Sequence, residues 1–301
     1  MQNKLLVTVI CLCFNHEKFV IESLFSVINQ DYPNIELIIV DDCSTDNSKK
    51  IIEKWLLNYP QAQFIFNETN LGNTKSFNKA LKSAKGDYIL DLAADDILIS
   101  NCISLQIKKF TENSFKNLGV VYGNAELINE NGKFNSYFFP VDHDLKTIEK
   151  RPIGDIYLSV ISGGNSICSV SSMAKKKVYD SLNGYDETLA YEDLDFWIRS
   201  SRLYEFNYID KILIKKRLSD NSLTSNFYDS HKTFFKKINL STYLILKKTI
   251  RLNLTRIEDF SIQKRVHHEI VHTLKVKAYK LLFKNIGLRI WLFWRTNFKK
   301  Y

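Results

Sequence analysis

"LLVTVICLCFNHEKFVIESLFSVINQDYPNIELIIVDD", residues 5–42, decides the fold. Its first eight residues are a continuous apolar run rich in β-branched side chains, the pattern of a strand covered on both faces. "KFVIESLFSVINQ" (18–30) then sets Val20, Leu24, Val27 and Ile28 at helical spacing. "IELIIV" (35–40) is a second buried strand, and it runs straight into two carboxylates, Asp41 and Asp42. Strands joined through a helix in this way lie parallel, because a parallel pair requires a crossover.

The alternation continues outward from that unit. "DNSKKIIEKWLLN" (46–58) and "TKSFNKALKSA" (74–84) read as helices, "AQFIF" (62–66) and "DYILDLA" (87–93) as strands. The expected class is α/β, a mostly parallel sheet flanked by helices. Ligand sites in such sheets lie beyond the carboxyl ends of the strands. Three of those ends carry polar groups: Phe14-Asn15, Asp41-Asp42 and Asp95-Asp96. Past residue 115 the pattern loosens into strands around a turn at Glu130-Asn131-Gly132. A Gly/Ser-rich stretch follows, then a turn at Asn183-Gly184 and a helix over 194–201.

With 301 residues, 45% hydrophobic and 25% charged, the chain can bury a sizeable core. Its net charge of +9 is unevenly spread. Residues 226–301 hold 17 Lys and Arg against 4 Asp and Glu, which leaves 25 against 29 in residues 1–225. An acidic body with a basic, helical tail predicts a catalytic domain over 1–225 and an extension over 226–301 that meets something anionic. The 5 cysteines include no C-x-x-C pair or zinc spacing, which fits a reduced, cytoplasmic setting. The apolar N-terminal run lacks a small-residue cleavage site and reads as a core strand rather than a signal peptide.

Each acidic group has a plain reading beside a functional one. Asp42, followed by Ser44, Thr45 and Asp46, could cap a helix or accept hydrogen bonds from a nucleotide. Asp95 and Asp96 repel one another unless a cation or donor compensates them. Oxygen ligands beside a diphosphate suit Mg2+ or Mn2+. Glu192 and Asp193, with Asp195, open a helix whose dipole favours acids, and a carboxylate there could also take a proton from a substrate hydroxyl. "HEIVH" (268–272) matches the zinc-protease helix pattern, but no His, Asp or Glu follows His272 to complete a ligand set. Neither a G-x-G-x-x-G nor a G-x-x-x-x-G-K-[ST] loop is present.

Taken in order, three stretches resemble the family 2 glycosyltransferases, which have the GT-A fold, over about residues 5–225. "VTVICLCFNHEKFVIESLFSVINQDYPNIELIIVDDCSTDNS" resembles the nucleotide-binding opening. "NLGNTKSFNKALKSAKGDYILDLAADDIL" resembles the approach to the metal motif, and "GYDETLAYEDLDFWIR" the acceptor-side motif. The resemblance implies inverting transfer of a sugar from a nucleotide-sugar, usually a UDP-sugar, to a hydroxyl on a glycan or lipid-linked acceptor. By the same resemblance, Phe14, Asn15 and Glu17 match the first nucleotide-contacting loop, and Asp42 with Ser44 the base and ribose contacts. Asp95 matches the metal-binding acid of the D-x-D motif, with Asp96 beside it on the donor side. Asp193 matches the base, with Glu192 as its close alternative.

The chain departs from the family pattern at Leu12, Cys43, Ala93 and Ser219. Ala93 stands where many members place the first acid of D-x-D. Asp91 shares a strand face with it but lies about 6–7 Å away. Two further readings stay open. The protein could be a non-catalytic nucleotide-sugar or glycan-binding module. The tail could be an interfacial helix on the anionic inner face of a membrane, or a helical subdomain with a solvated basic face. Nucleic acid is not expected as a partner, since the body is acidic.

Overall fold

The computed structural model describes residues 5–164, 167–219, 227–228 and 234–298. The strands are β1 (Val7–Cys13), β2 (Ile35–Asp41), β3 (Gln63–Phe66), β4 (Tyr88–Ala93), β5 (Ile97–Leu98), β6 (Leu118–Ile128), β7 (Phe134–Tyr137), β8 (Met173–Lys175) and β9 (Glu205–Arg217). The helices are α1 (Val20–Ile28), α2 (Ser48–Leu56), α3 (Asn73–Leu81), α4 (Cys102–Thr111), α5 (Tyr157–Ser162), α6 (Lys176–Leu182), α7 (Asp193–Ser201), α8 (Phe235–Leu252), α9 (Arg256–Lys275) and α10 (Tyr279–Phe298).

One sheet runs β3-β2-β1-β4-β8-β6-β9-β5, with β7 paired to β6. Its first four strands are parallel, as the sequence predicts, and β8 then joins β4 and β6 antiparallel. β1 lies at the centre of the parallel part because it carries the densest apolar run. Val7, Val9, Ile10 and Cys11 are fully buried, and each aliphatic side chain so placed contributes roughly 1.5–3 kcal/mol. The one polar member, Thr8, is buried too, and its hydroxyl accepts the Gly86 N–H at 2.9 Å. A β-carbon on Gly86 would come 2.5 Å from the Thr8 nitrogen, so only glycine fits that approach.

Chain order makes this a switch point. From β1 the chain passes outward to β2 and β3, then returns to pair β4 on the opposite side of β1. In register, Cys13 stands opposite Asp41 and Leu12 opposite Ala93. The polar ends of β1, β2 and β4 therefore emerge side by side, in the crevice where open α/β sheets bind ligands.

The turn expected at Asn183-Gly184 forms, with both residues in the left-handed region at φ 57° and 72°. Asn78 of α3 pins the residue that follows: its amide donates to the Tyr185 carbonyl at 2.8 Å and accepts the Tyr185 N–H at 2.9 Å.

Contacts divide the chain into two compact units. The first holds residues 1–154, 167–187 and 204–219; the second holds 155–166, 188–203 and 220–301. The second is helical: α5 packs against α7 and α9, α7 against α8, and α10 against α8 and α9. The 225/226 boundary expected from charge lies outside the described residues. Within this unit α9 begins with a capping box, Thr255 with Glu258, and Arg202 just after α7 pairs with that same Glu258. Arg295 of α10 pairs with the fully buried Asp259 at 2.7 Å. Among the described residues, no helix is long and apolar enough to cross a membrane.

Candidate active site

In the first unit, the ends of β1 and β2 are knitted into one surface. Asn15 takes a left-handed conformation, φ 59°, and its side-chain oxygen accepts the Thr45 N–H at 2.7 Å. Its own N–H donates to Ser44 Oγ at 2.9 Å. Glu17 accepts from the backbone and side-chain nitrogens of Asn47 at 2.9 and 2.8 Å, while its N–H donates to Asp46 at 3.0 Å. Hydrogen bonds of Asn15, Glu17 and Ser44 thus hold loops 14–17 and 43–48 together. Phe14 remains an exposed ring at the edge of that surface.

Asp42 is buried and saturated. Its carboxylate accepts from Asn67 Nδ2 at 2.9 Å and from the Leu71 and Gly72 N–H groups at 2.8 Å each. It shapes the wall formed by residues 67–72. Its neighbour Asp41 accepts the Ser44 N–H through Oδ1, and Oδ2 is buried without a hydrogen-bond partner. A buried acceptor left so costs about 1–3 kcal/mol, which a ligand group or water could recover.

Cys43, one of the departures from the family pattern, sits in backbone that favours glycine. It has φ 63°, in the left-handed region where a β-carbon is penalised. Cys43→Gly is expected to stabilise the protein by roughly 0.5–1 kcal/mol, read as a higher denaturation midpoint. An unchanged or lower midpoint would mean that the thiol contact to the Glu68 carbonyl, at 3.4 Å, outweighs the strain.

After β4 the two adjacent acids part company. Asp96 is 3% exposed, and its Oδ1 accepts the Arg217 N–H at 2.8 Å. Burial, with Asp95 alongside, pushes its carboxyl up to about 7. Asp95 instead keeps 16% of its side chain exposed, with Oδ2 3.8 Å from His16 Nε2. Arg217 holds this turn: Nε donates to the Asp95 carbonyl at 3.0 Å, Nη1 to the Glu130 carbonyl at 3.1 Å, and Nη2 to Glu22 at 2.7 Å. Asp91 accepts the Tyr185 hydroxyl at 3.0 Å and does not replace the acid missing at Ala93.

A hydrated Mg2+ or Mn2+ shared with a diphosphate needs only one or two protein carboxylates. Asp95 meets that requirement, while Asp96 is turned inward. Among the described residues, no three His, Cys, Asp or Glu side chains gather to cage a metal. A lone, part-exposed carboxylate such as Asp95 fits an ion that takes most of its ligands from water and a diphosphate. His16 is the residue sequence reasoning missed. Its Nε2 faces Asp95, and its Nδ1 is buried without a hydrogen-bond partner. A single histidine in a loop carries no spacing signal that could have marked it.

In the second unit, Asp193 is the first residue of α7, with Leu194 N–H donating to its Oδ1 at 2.7 Å, and Glu192 precedes it. Asp195 does not join them at a surface. It is buried in ion pairs with Arg199 at 2.6 Å and Lys248 at 3.6 Å. Tyr191 is also buried, its hydroxyl 2.8 Å from Thr242 Oγ1, and burial pushes that hydroxyl's pKa up. The protease-like pair is split: His272 is buried with Nε2 2.9 Å from Asn239 Oδ1, while His268 is exposed beside Glu269.

The polar ends of β1, β2 and β4 meet at the switch point of a mostly parallel α/β sheet, with the part-exposed Asp95 and the exposed ring of Phe14 among them, an arrangement of the GT-A type. Residues 8–175 match the family Glycosyl transferase family 2. An uncharacterized glycosyltransferase of Methanocaldococcus jannaschii is 31% identical over 248 residues, 81% of this chain and 79% of that one. The chain belongs to glycosyl transferase family 2 and is a glycosyltransferase. It is also 29% identical to the poly-beta-1,6-N-acetyl-D-glucosamine synthase of Staphylococcus epidermidis over 65% of its own length, but spans only 45% of that protein. In structure it resembles Staphylococcus aureus TarS 1-349 in complex with UDP-GlcNAc, with a TM-score of 0.69, 21% identity and coverage of 95% of this chain and 81% of that one.

Proposed function

We propose that this enzyme moves a sugar from a UDP-sugar to a hydroxyl acceptor in glycan or surface-polysaccharide assembly, with inversion at the anomeric carbon. The observation that carries this reading is the meeting of strand ends at β1, β2 and β4, which brings there the exposed ring of Phe14 and the part-exposed carboxylate of Asp95, 3.8 Å from His16 Nε2. Phe14 offers a face for the base, Asp42 and residues 67–72 wall the pocket, and Asn15, Glu17 and Ser44 keep its loops fixed. The acceptor class is supported by the likeness to a polysaccharide synthase. The catalytic domain is taken as residues 1–225, with 226–301 as the basic extension.

Asp95 would hold Mg2+ or Mn2+ together with the diphosphate, and such an ion when bound neutralises charge on the leaving nucleotide. Asp96 fixes the turn that presents Asp95. Asp193 would accept the acceptor's proton as its oxygen attacks the anomeric carbon, and Glu192 is the alternative for that role. We place the enzyme in the cytoplasm, where nucleotide-sugars and lipid-linked acceptors meet at the inner membrane face.

The test is nucleotide release from a panel of UDP- and GDP-sugars, with and without Mn2+. Metal-dependent release of UDP is expected, and Asp95→Asn should lower it by about two orders of magnitude. Release from GDP-sugars alone would overturn the donor assignment. UDP binding without turnover against any acceptor tried would favour a binding module, and Ala93→Asp would be the first change to make.

A further inference from the structure

α10 is apolar on two opposite faces. Leu282, Leu288 and Leu292 are buried, on the side that packs against α8 and α9. Tyr279, Phe283, Ile290, Trp294 and Phe298 are each more than half exposed, Phe283 most at 71%, and Phe293 outside their line is exposed as well. At about 100° per residue, these five fall within a sector about 100° wide, on the side of the helix away from the buried leucines. The stripe runs the whole helix from first residue to last.

An exposed aromatic stripe of this length needs an occupant, and the charge around it says which. From Ile270 to Tyr301 the sequence holds 8 Lys and Arg and no Asp or Glu. Lys280 stands beside the stripe on α10 and is exposed, and Lys284, about 40° further round, is exposed too, with its ammonium 5.3 Å from the centre of the Tyr243 ring of α8. Arg295, by contrast, is turned inward to Asp259 and to the Asn253 carbonyl. That contact brings the last turns of α10 to the α8–α9 connection, where Leu254 and Ile257 are also exposed. Aromatic rings that seat at the headgroup level, lysines beside them and no acid for 32 residues match an anionic lipid surface.

We propose that α10 is a monotopic membrane-docking helix: the stripe of Tyr279, Phe283, Ile290, Trp294 and Phe298 enters the interface of an anionic bilayer, and Lys280 and Lys284 meet its headgroups. The helix lies on the bilayer and does not cross it.

The full chain would be sedimented with phosphatidylcholine vesicles, with and without phosphatidylglycerol. Binding to the anionic vesicles that weakens with salt is expected. Phe283→Ser, Trp294→Ser and Phe298→Ser together should lower partitioning by about tenfold or more. Lys280→Gln with Lys284→Gln should lower it roughly tenfold and flatten the salt dependence. Both variants should keep the parent's melting temperature and its nucleotide release in solution, which separates docking from folding and from the transfer activity. Equal binding to neutral vesicles, absence of binding, or full binding by the triple variant would overturn the proposal. So would a concentration-dependent dimer that the triple variant abolishes in the absence of any vesicle affinity, since the stripe would then cover a second copy of this chain.

Discussion

Asp193→Asn is expected to lower kcat for sugar transfer by about 10²–10⁴-fold while leaving affinity for the nucleotide-sugar unchanged. The split follows from where the residue sits. Asp193 belongs to the helical unit, at the first turn of α7, whereas the nucleotide loops belong to the first unit. The N-terminal turn of a helix favours a carboxylate, and the Leu194 N–H fixes one of its oxygens. Asparagine keeps the shape and that hydrogen bond but cannot take a proton. Glu192→Gln is the companion experiment. If it costs more than Asp193→Asn, the base is Glu192. If both variants turn over like the parent, neither carboxylate deprotonates the acceptor.

Arg217→Met should destabilise the protein by about 2–4 kcal/mol, a melting-temperature drop of roughly 4–16 °C. The side chain is 2% exposed and reaches in three directions: to Glu22, to the Asp95 carbonyl and to the carbonyls of Asn129 and Glu130. It also lies over the Phe19 ring, 4.4 Å from its centre. Methionine fills the volume but gives up the hydrogen bonds to the Asp95 and Glu130 carbonyls and the ion pair with Glu22. Arg217→Lys should recover only part of the loss, because one ammonium cannot serve a fork of this width. Since Arg217 holds the turn carrying Asp95, Mn2+ affinity in the presence of UDP should fall as well. A loss under about 1 kcal/mol would mean that water replaces the clamp.

The parallel half of the fold was legible because its code is local. Apolar runs at 7–13 and 35–41 and the period of Val20, Leu24 and Val27 need no tertiary information. The crevice followed from those strands, since their order fixes where polar ends emerge. The roles inside it were less legible. Asn15 and Glu17 carry the chemistry expected of nucleotide contacts, yet their oxygens bind the neighbouring loop. Asp96 and Asp95 are adjacent in sequence, and only the position of Arg217, 121 residues from Asp96, sends one inward and leaves the other open. Asp195 has the same character: an acid in an acidic cluster, claimed by Lys248 from a distant helix. The membership of α5 and α7 in the helical unit was illegible for the same reason.

That last arrangement bears on how the family can be cut and recombined. The segment that bears Asp193 is folded against α8, and its following Arg202 closes on the capping box that starts α9. A truncated protein ending near residue 225, or a chimera that exchanges C-terminal helices between relatives, would strip α7 of its foundation while the nucleotide crevice stayed whole. Such a protein would grip its donor and fail to use it. With Asp193 as the proposed base, the basic helices belong with the proposed chemistry, and any change made in α10 has to leave the scaffold of α7 undisturbed.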